Sequence, residues 1–205
     1  MASKLTIWNK ALRKVGELRV TSLTENSVNA RLLQDTYEED KNAVLEMHSW
    51  KFARKEYECG LNGGVTPVAW DHSYELPNDF IKIIYFNNTD AFDRQKVMFD
   101  VQGDTLLSNE DTAKIIYTSR ETVEGLFSPL FVECLSTYMA MNMAYNRTKS
   151  QPLMERLAQA FERQLSRAKV ADGSQDNTPA PSFLSFPNLC ARYTSSRIGY
   201  YGRVV

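Results

Sequence analysis

The sequence predicts an α+β protein: a four-helix bundle with a β-rich insertion between its second and third helices and an extended C-terminal tail. Three observations predict it. Apolar residues recur at spacings of three and four up to about His48, and again from Ser128 to Gly173. Between them the pattern breaks into short β-branched and aromatic runs separated by Gly, Pro and Asn. After Gly173 neither period is visible. The chain therefore divides into a helical bundle domain of residues 1–49 and 121–173, a β-rich insertion of 50–120 and an arm of 174–205.

The first helix is expected over Ser3 to Val15, with Leu5, Trp8, Ala11, Leu12 and Val15 on one face. Arg13 and Lys14 complement the dipole in its last turn, and Gly16 can stop it in a left-handed conformation. Ser27 can cap a second helix that runs to about His48. Its apolar side uses Val28, Leu32, Leu33, Tyr37, Val44 and Leu45, and its other side is acidic through Asp35, Glu38, Glu39 and Asp40. Strands are expected over Phe52–Cys59, Ala69–Leu76, Phe80–Phe86, Val97–Val101, Thr105–Ser108 and Ala113–Ser119. Pro77-Asn78-Asp79 reads as a turn, and Gln102-Gly103-Asp104 as a tight hairpin. Ser128 caps the third helix with Pro129 in its first turn, and apolar residues almost all round it place it centrally. The fourth helix lines up Leu153, Leu157, Phe161, Leu165 and Ala168 and ends at Gly173. A linker rich in Gly, Ser, Asn and Pro follows.

With 205 residues, 43% hydrophobic and 24% charged, the chain can bury a substantial core and is not of disordered composition. A net charge of -1 supplies no global basic field for nucleic acid. The first residues lack an apolar signal core, and no apolar run reaches the length of a membrane span, so a soluble protein made in a reducing cytoplasm is expected. The odd count of three cysteines, Cys59, Cys134 and Cys190, fits free thiols.

No motif carries catalytic chemistry. His48 and His72 have no nucleophile signature near any cysteine, and the Cys-x-x-Cys and His-x-x-x-His spacings of a metal site are missing. Met139 and Met143 share a helical face, but Met141 points about 160° away from both, which favours packing over a thioether metal site. Gly60-Leu61-Asn62-Gly63-Gly64 lacks the Lys-Ser/Thr of a phosphate loop. The expectation is a non-enzyme with no cofactor and no metal.

The order of segments carries a resemblance. The first helix ends in "ALRKVGE", and the long second helix runs into His48-Ser49-Trp50-Lys51-Phe52-Ala53. Then follow Tyr74, Leu76, Pro77, Asp79 and Phe80 of "WDHSYELPNDFIKII", "FSPLFVECLSTYMAMNMAYNRTKS", and a last helix closing in Ala-Lys-Val-Ala-Asp-Gly. Over about residues 4–175 this resembles the head-to-tail adaptor (connector) family of tailed bacteriophages, called tail tubular protein A in short-tailed phages. The family usually has Pro where Ser49 stands here.

The resemblance implies a structural virion protein at the head-tail junction, assembled in the host cytoplasm. Twelve copies would dock beneath the portal protein, extend the channel through which packaged DNA passes, and present a platform for a downstream tail or nozzle protein. In some relatives a C-terminal extension lies against the portal. The arm here carries Phe183, Phe186, Tyr193, Tyr200 and Tyr201 in a stretch that cannot form its own core, with Arg192 and Arg197 among them. These seven are the expected portal-binding residues. Burying the rings alone does not offset the entropy of ordering the arm, so backbone pairing or the avidity of a ring must help. If copies surround DNA, Asp35, Glu38 and Glu39 are the expected channel-lining residues, repelling phosphate. A nucleic-acid-binding helical module is the alternative function, and a cell-wall hydrolase a further one.

Overall fold

The computed structural model describes residues 2–63, 68–87, 89–90 and 98–174. The first helix, α1 (Lys4–Val15), begins where the Ser3 Oγ accepts the Thr6 N–H at 3.2 Å, and ends at Gly16 with φ of +81°. Such a left-handed residue is cheap only for glycine. Its buried row is Ile7, Trp8, Ala11, Leu12 and Val15, and Leu5 packs against the core half-buried. The second helix, α2 (Val28–Glu46), is capped in the same way by the Ser27 Oγ, which accepts the Ala30 N–H.

Seven strands follow among the described residues: β1 (Arg54–Cys59), β2 (His72–Glu75), β3 (Phe80–Phe86), β4 (Thr89–Asp90), β5 (Phe99–Gln102), β6 (Thr105–Ser108) and β7 (Ala113–Ser119). They form two antiparallel sheets, in the orders β1-β7-β3-β4 and β2-β6-β5. Gly103, at φ of +64°, turns β5 into β6 through a two-residue loop between the paired Gln102 and Thr105. Alternation along β7 sends Ala113, Ile115 and Tyr117 inward and Lys114 outward. These residues join Cys59, Ile83 and Phe86 of their own sheet and Tyr74 and Leu106 of the other in one apolar cluster.

Helices α3 (Pro129–Thr148) and α4 (Gln151–Gly173) complete the mixed helix-and-sheet fold. The Ser128 Oγ accepts the Phe131 N–H at 3.1 Å, and Lys149 closes α3 in a left-handed conformation. A second apolar cluster draws Trp8 from α1, Tyr37 from α2, Leu135 and Met139 from α3 and Phe161 from α4. Large side chains buried this completely contribute roughly 1.5–3 kcal/mol each before conformational entropy is counted. Met141, on the far side of α3 from Met139, packs half-buried against the same cluster. The chain to Asp172 forms one unit, and Gly173 begins a second. No described helix is long and apolar enough to cross a membrane.

Several expectations change. The strand expected from Phe52 starts at Arg54, because Lys51–Ala53 form a 3-10 turn that drives Trp50 and Phe52 into the helical core. There the Phe52, Phe127 and Phe131 rings meet edge-on or tilted with centroids 4.8–5.1 Å apart, and Trp50 meets Phe131 edge-on at 5.0 Å. The strand expected over Ala69–Leu76 contracts to His72–Glu75, and the strand expected over Val97–Val101 is Phe99–Gln102, Val97 lying outside the described residues. On α2 the polar side is not all solvated: Asp40 and Lys41 are buried, whereas Val28, expected on the apolar side, is 67% exposed.

Candidate functional site

The seven arm residues Phe183, Phe186, Arg192, Tyr193, Arg197, Tyr200 and Tyr201 lie outside the described residues, as does Cys190. The end of α4 just before the arm is described, and it is clasped. The Asp172 carboxylate, 10% exposed, accepts the Lys51 backbone N–H at 3.3 and 3.4 Å and lies 3.3 Å from the His48 Nε2. The imidazole also meets the Trp50 ring edge-on at 4.8 Å. Burial lowers the His48 pKa, and the neighbouring carboxylate works against that shift. One carboxylate thus ties the last turn of α4 to the segment that leads α2 into the sheets.

The channel-lining candidates stand on α2, and the structure separates them. Asp35 and Glu39 are exposed and have no ion-pair partner among the described residues. Glu38 instead accepts from Lys4 of α1 at 3.5 Å and from Lys41 one turn on. Burial would raise its pKa, but the two ammonium groups outweigh burial and lower it. Both lysines also lie over the Tyr37 ring, at 4.4 and 5.8 Å. Glu38 is therefore a bridge between α1 and α2, with most of its charge compensated. Asp40 turns inward onto α3, where Asn142 donates to it at 2.6 Å, and burial raises its pKa to about 6.

A third carboxylate organises the sheets. Asp79, in the turn before β3, accepts from the Lys55 Nζ at 2.6 Å, the Ser119 Oγ at 2.6 Å and the Tyr117 hydroxyl at 2.8 Å. Its own carbonyl accepts the Arg120 N–H at 2.8 Å. Burial would raise its pKa, but the three donors outweigh burial and hold it at about 2. One turn residue so links β1, β3 and β7.

These clusters hold elements together and aim nothing at a cleft. The Cys59 and Cys134 thiols are buried, which pushes both pKa values up to about 11 and keeps them protonated near neutrality. Among the described residues no group of three His, Cys, Asp or Glu side chains is placed to hold a metal ion. An open groove of about 710 Å3 runs past Asn9, Lys10, Arg13, Gly16 and Arg19, and one of about 520 Å3 lies over Leu76, Pro77, Phe80 and Arg120. In the first, Arg147 and Asn29 donate to Glu17 and hold its carboxyl below the ordinary range.

The helical periodicity did not single out Asp40, Asp79 or Asp172 as joints. Asp79 had one usable signal, its place in the Pro77-Asn78-Asp79 turn beside Phe80. Asp172 had a weaker one, a carboxylate falling where the row of Leu157, Phe161, Leu165 and Ala168 continues. No protein-family model matches the chain, and no curated protein matches it.

Proposed function

We propose that this protein is a structural head-to-tail adaptor of a tailed bacteriophage. In this reading the four helices are a bundle, the two sheets an insertion into it, and residues from 174 on an arm that engages the portal. Copies assemble as a ring, with twelve expected from the family resemblance, extend the channel for packaged DNA and offer a platform to the next tail component. The virion head-tail junction is its place, and catalysis is no part of its role.

One observation carries the reading: the ordered sequence motifs of the resemblance coincide with the joints of the fold. His48, Trp50 and Phe52 fill the passage from α2 to the sheets, with Trp50 fully buried and its indole N–H donating to the Val44 carbonyl at 3.0 Å. Tyr74, Leu76, Pro77, Asp79 and Phe80 form the β2–β3 connection, where Leu76 is buried and Asp79 gathers three donors. The closing Ala-Asp-Gly of α4 supplies the Asp172 clasp. Chance similarity has no reason to choose the residues that join elements, whereas a shared fold does.

The test is a binding assay between the portal ring from the same genome and two forms of this protein, full length and ending at Gly173, with complexes imaged by electron microscopy. A ring of full-length copies beneath the portal, lost on truncation, is expected. Binding by neither form sinks the adaptor reading. Equal binding by both removes the arm from it.

A further inference from the structure

Two exposed charged stripes of opposite sign, on α2 and α4, form no ion pair among the described residues. On α2, Asp35, Glu39 and Glu46 fall within an arc of about 40° at about 100° per residue. On α4, Arg156, Arg163 and Arg167 fall within a similar arc of about 40°. All six side chains are exposed, and none forms an ion pair among the described residues. Glu46 is also the α2 residue whose backbone carbonyl accepts from the Lys82 Nζ, and its carboxylate favours the charged form of that ammonium without closing to an ion pair.

The two stripes cannot meet inside one molecule. Each lies roughly opposite its own helix's buried row, Leu33, Tyr37 and Val44 on α2 and Phe161 and Leu165 on α4. Their lengths match. Asp35 to Glu46 and Arg156 to Arg167 each cover eleven steps, about 16.5 Å at 1.5 Å per residue. Within one chain α2 and α4 run the same way, since both run against α3: Asn29 and Trp50 meet Arg147 and Phe131, α4 turns back along α3 with Phe161 and Gln164 against Tyr138 and Thr137, and the C-terminal ends meet at the Asp172 clasp. Rotation about an axis along these helices keeps heights, and Glu39 and Arg163 each lie nine residues before their side of the clasp, so Glu39 of one copy comes level with Arg163 of the next. Asp35 with Arg156 and Glu46 with Arg167 are then three residues out of register, about 4.5 Å, within reach of a long guanidinium side chain.

We propose that the α2 stripe of one copy docks on the α4 stripe of the next copy. This rests on the adaptor reading above, and names the surface that its ring would use. The contact is heterologous: each copy offers one acidic and one basic face, so association propagates head to tail and stops only on ring closure. Exposed ion pairs are individually weak and screened by salt, so free protein associates at high concentration and low salt, and a scaffold or ring closure adds the avidity. The stripe also reassigns Asp35 and Glu39 from the channel to the contact between neighbours.

Charge reversal tests it on the full-length chain by sedimentation at about 50 mM and about 500 mM salt, either side of the range in which screening becomes strong. The wild type should show a mass that rises with protein concentration at low salt and falls towards monomer at high salt. Asp35→Lys with Glu39→Lys should weaken association at least about tenfold, and so should Arg163→Glu with Arg167→Glu, since each reversal turns two attractions into repulsions. Mixing the two double variants should restore assembly, because the reversed α2 of one then faces the reversed α4 of the other. Far-ultraviolet circular dichroism checks that both variants fold.

A wild type that stays monomeric at every salt and concentration overturns the contact. So does assembly that stops at two copies, or a mixture that fails to recover. If instead duplex DNA is retained and Arg163→Glu with Arg167→Glu releases it, while no self-association is seen, the α4 stripe belongs to nucleic acid. Portal binding by the same wild-type preparation reads out the adaptor assignment separately, so either conclusion can fail without the other.

Discussion

Asp79→Asn should cost about 2 kcal/mol of folding stability at pH 7, and the loss should vanish in acid. The carboxylate takes three donors from two other strands, and its side chain is only 12% exposed. Its pKa falls from an ordinary 3.8 to about 2, a difference that converts to about 2 kcal/mol at 1.36 kcal/mol per unit. Because the folded value is depressed, this stability is fully present above about pH 4 and disappears as pH falls through about 2. Asparagine keeps the shape and can still accept one hydrogen bond, but it leaves the Lys55 ammonium only the exposed Glu121 carboxylate, 3.8 Å away, as counter-charge. Urea titrations of the two proteins at pH 7 and at several values down to about 2 measure the gap directly, since every other carboxylate is common to both. At pH 7 the midpoint should drop by roughly 1 M, given a slope of about 1–3 kcal/mol/M. A gap below about 0.5 kcal/mol at pH 7, the scatter of an ordinary surface substitution, refutes the reasoning. A gap that does not close in acid refutes it too.

Asp40→Asn should do the opposite. Burial raises this pKa from 3.8 to about 6, so ionisation opposes folding and the contribution of Asp40 is lost as pH rises through that interval. The amide removes a buried charge while still accepting from Asn142, and should raise the melting temperature at pH 8 by about 4–8 °C with no gain at pH 4. In a Cys190→Ser background, Cys59 and Cys134 should react with an aromatic disulfide reagent at pH 8 only after urea unfolds the chain. Fast labelling of the native protein contradicts their burial. Ser128→Ala should cost about 1 kcal/mol by freeing the Phe131 N–H at the start of α3, while Ser128→Asp, another good cap, should recover most of it.

Why some of this was legible and some was not follows from the range of each interaction. The caps at Ser27 and Ser128 act over three residues, so the local sequence contains them whole, whereas Ser3, expected inside the first helix, caps it instead. The bounds of β3, β6 and β7 were likewise legible, because alternation and turn residues lie within each segment. The 3-10 turn at Lys51–Ala53 was not. Phe52 alternates as a strand residue would, and only Phe127 and Phe131, some seventy-five residues on, draw it into the helical core. The acidic side of α2 misled for a similar reason: Asp40 lies at its boundary, and it is Asn142 on α3 that turns it inward.

The three inward or clasped carboxylates have a common placement. Asp40 joins α2 to α3, Asp79 joins the turn before β3 to β1 and β7, and Asp172 joins the end of α4 to the segment after α2. Apolar packing is non-directional and tolerates sliding of one element on another, whereas a carboxylate held by directional donors, one at Asp40, two at Asp172 and three at Asp79, favours one register. Under the proposed ring, a subunit that presents the same faces to each neighbour has more need of fixed register than of extra stability. On that proposal, buried or half-buried charge stands at these joints for register, although Asp40 works against stability at neutral pH. If the reasoning is right, Asp40→Asn should stabilise the subunit and yet loosen it. Hydrogen exchange at the α2–α3 contact should then quicken relative to the rest of the chain, despite the higher melting temperature; uniformly slower exchange would mean that Asp40 contributes nothing to register.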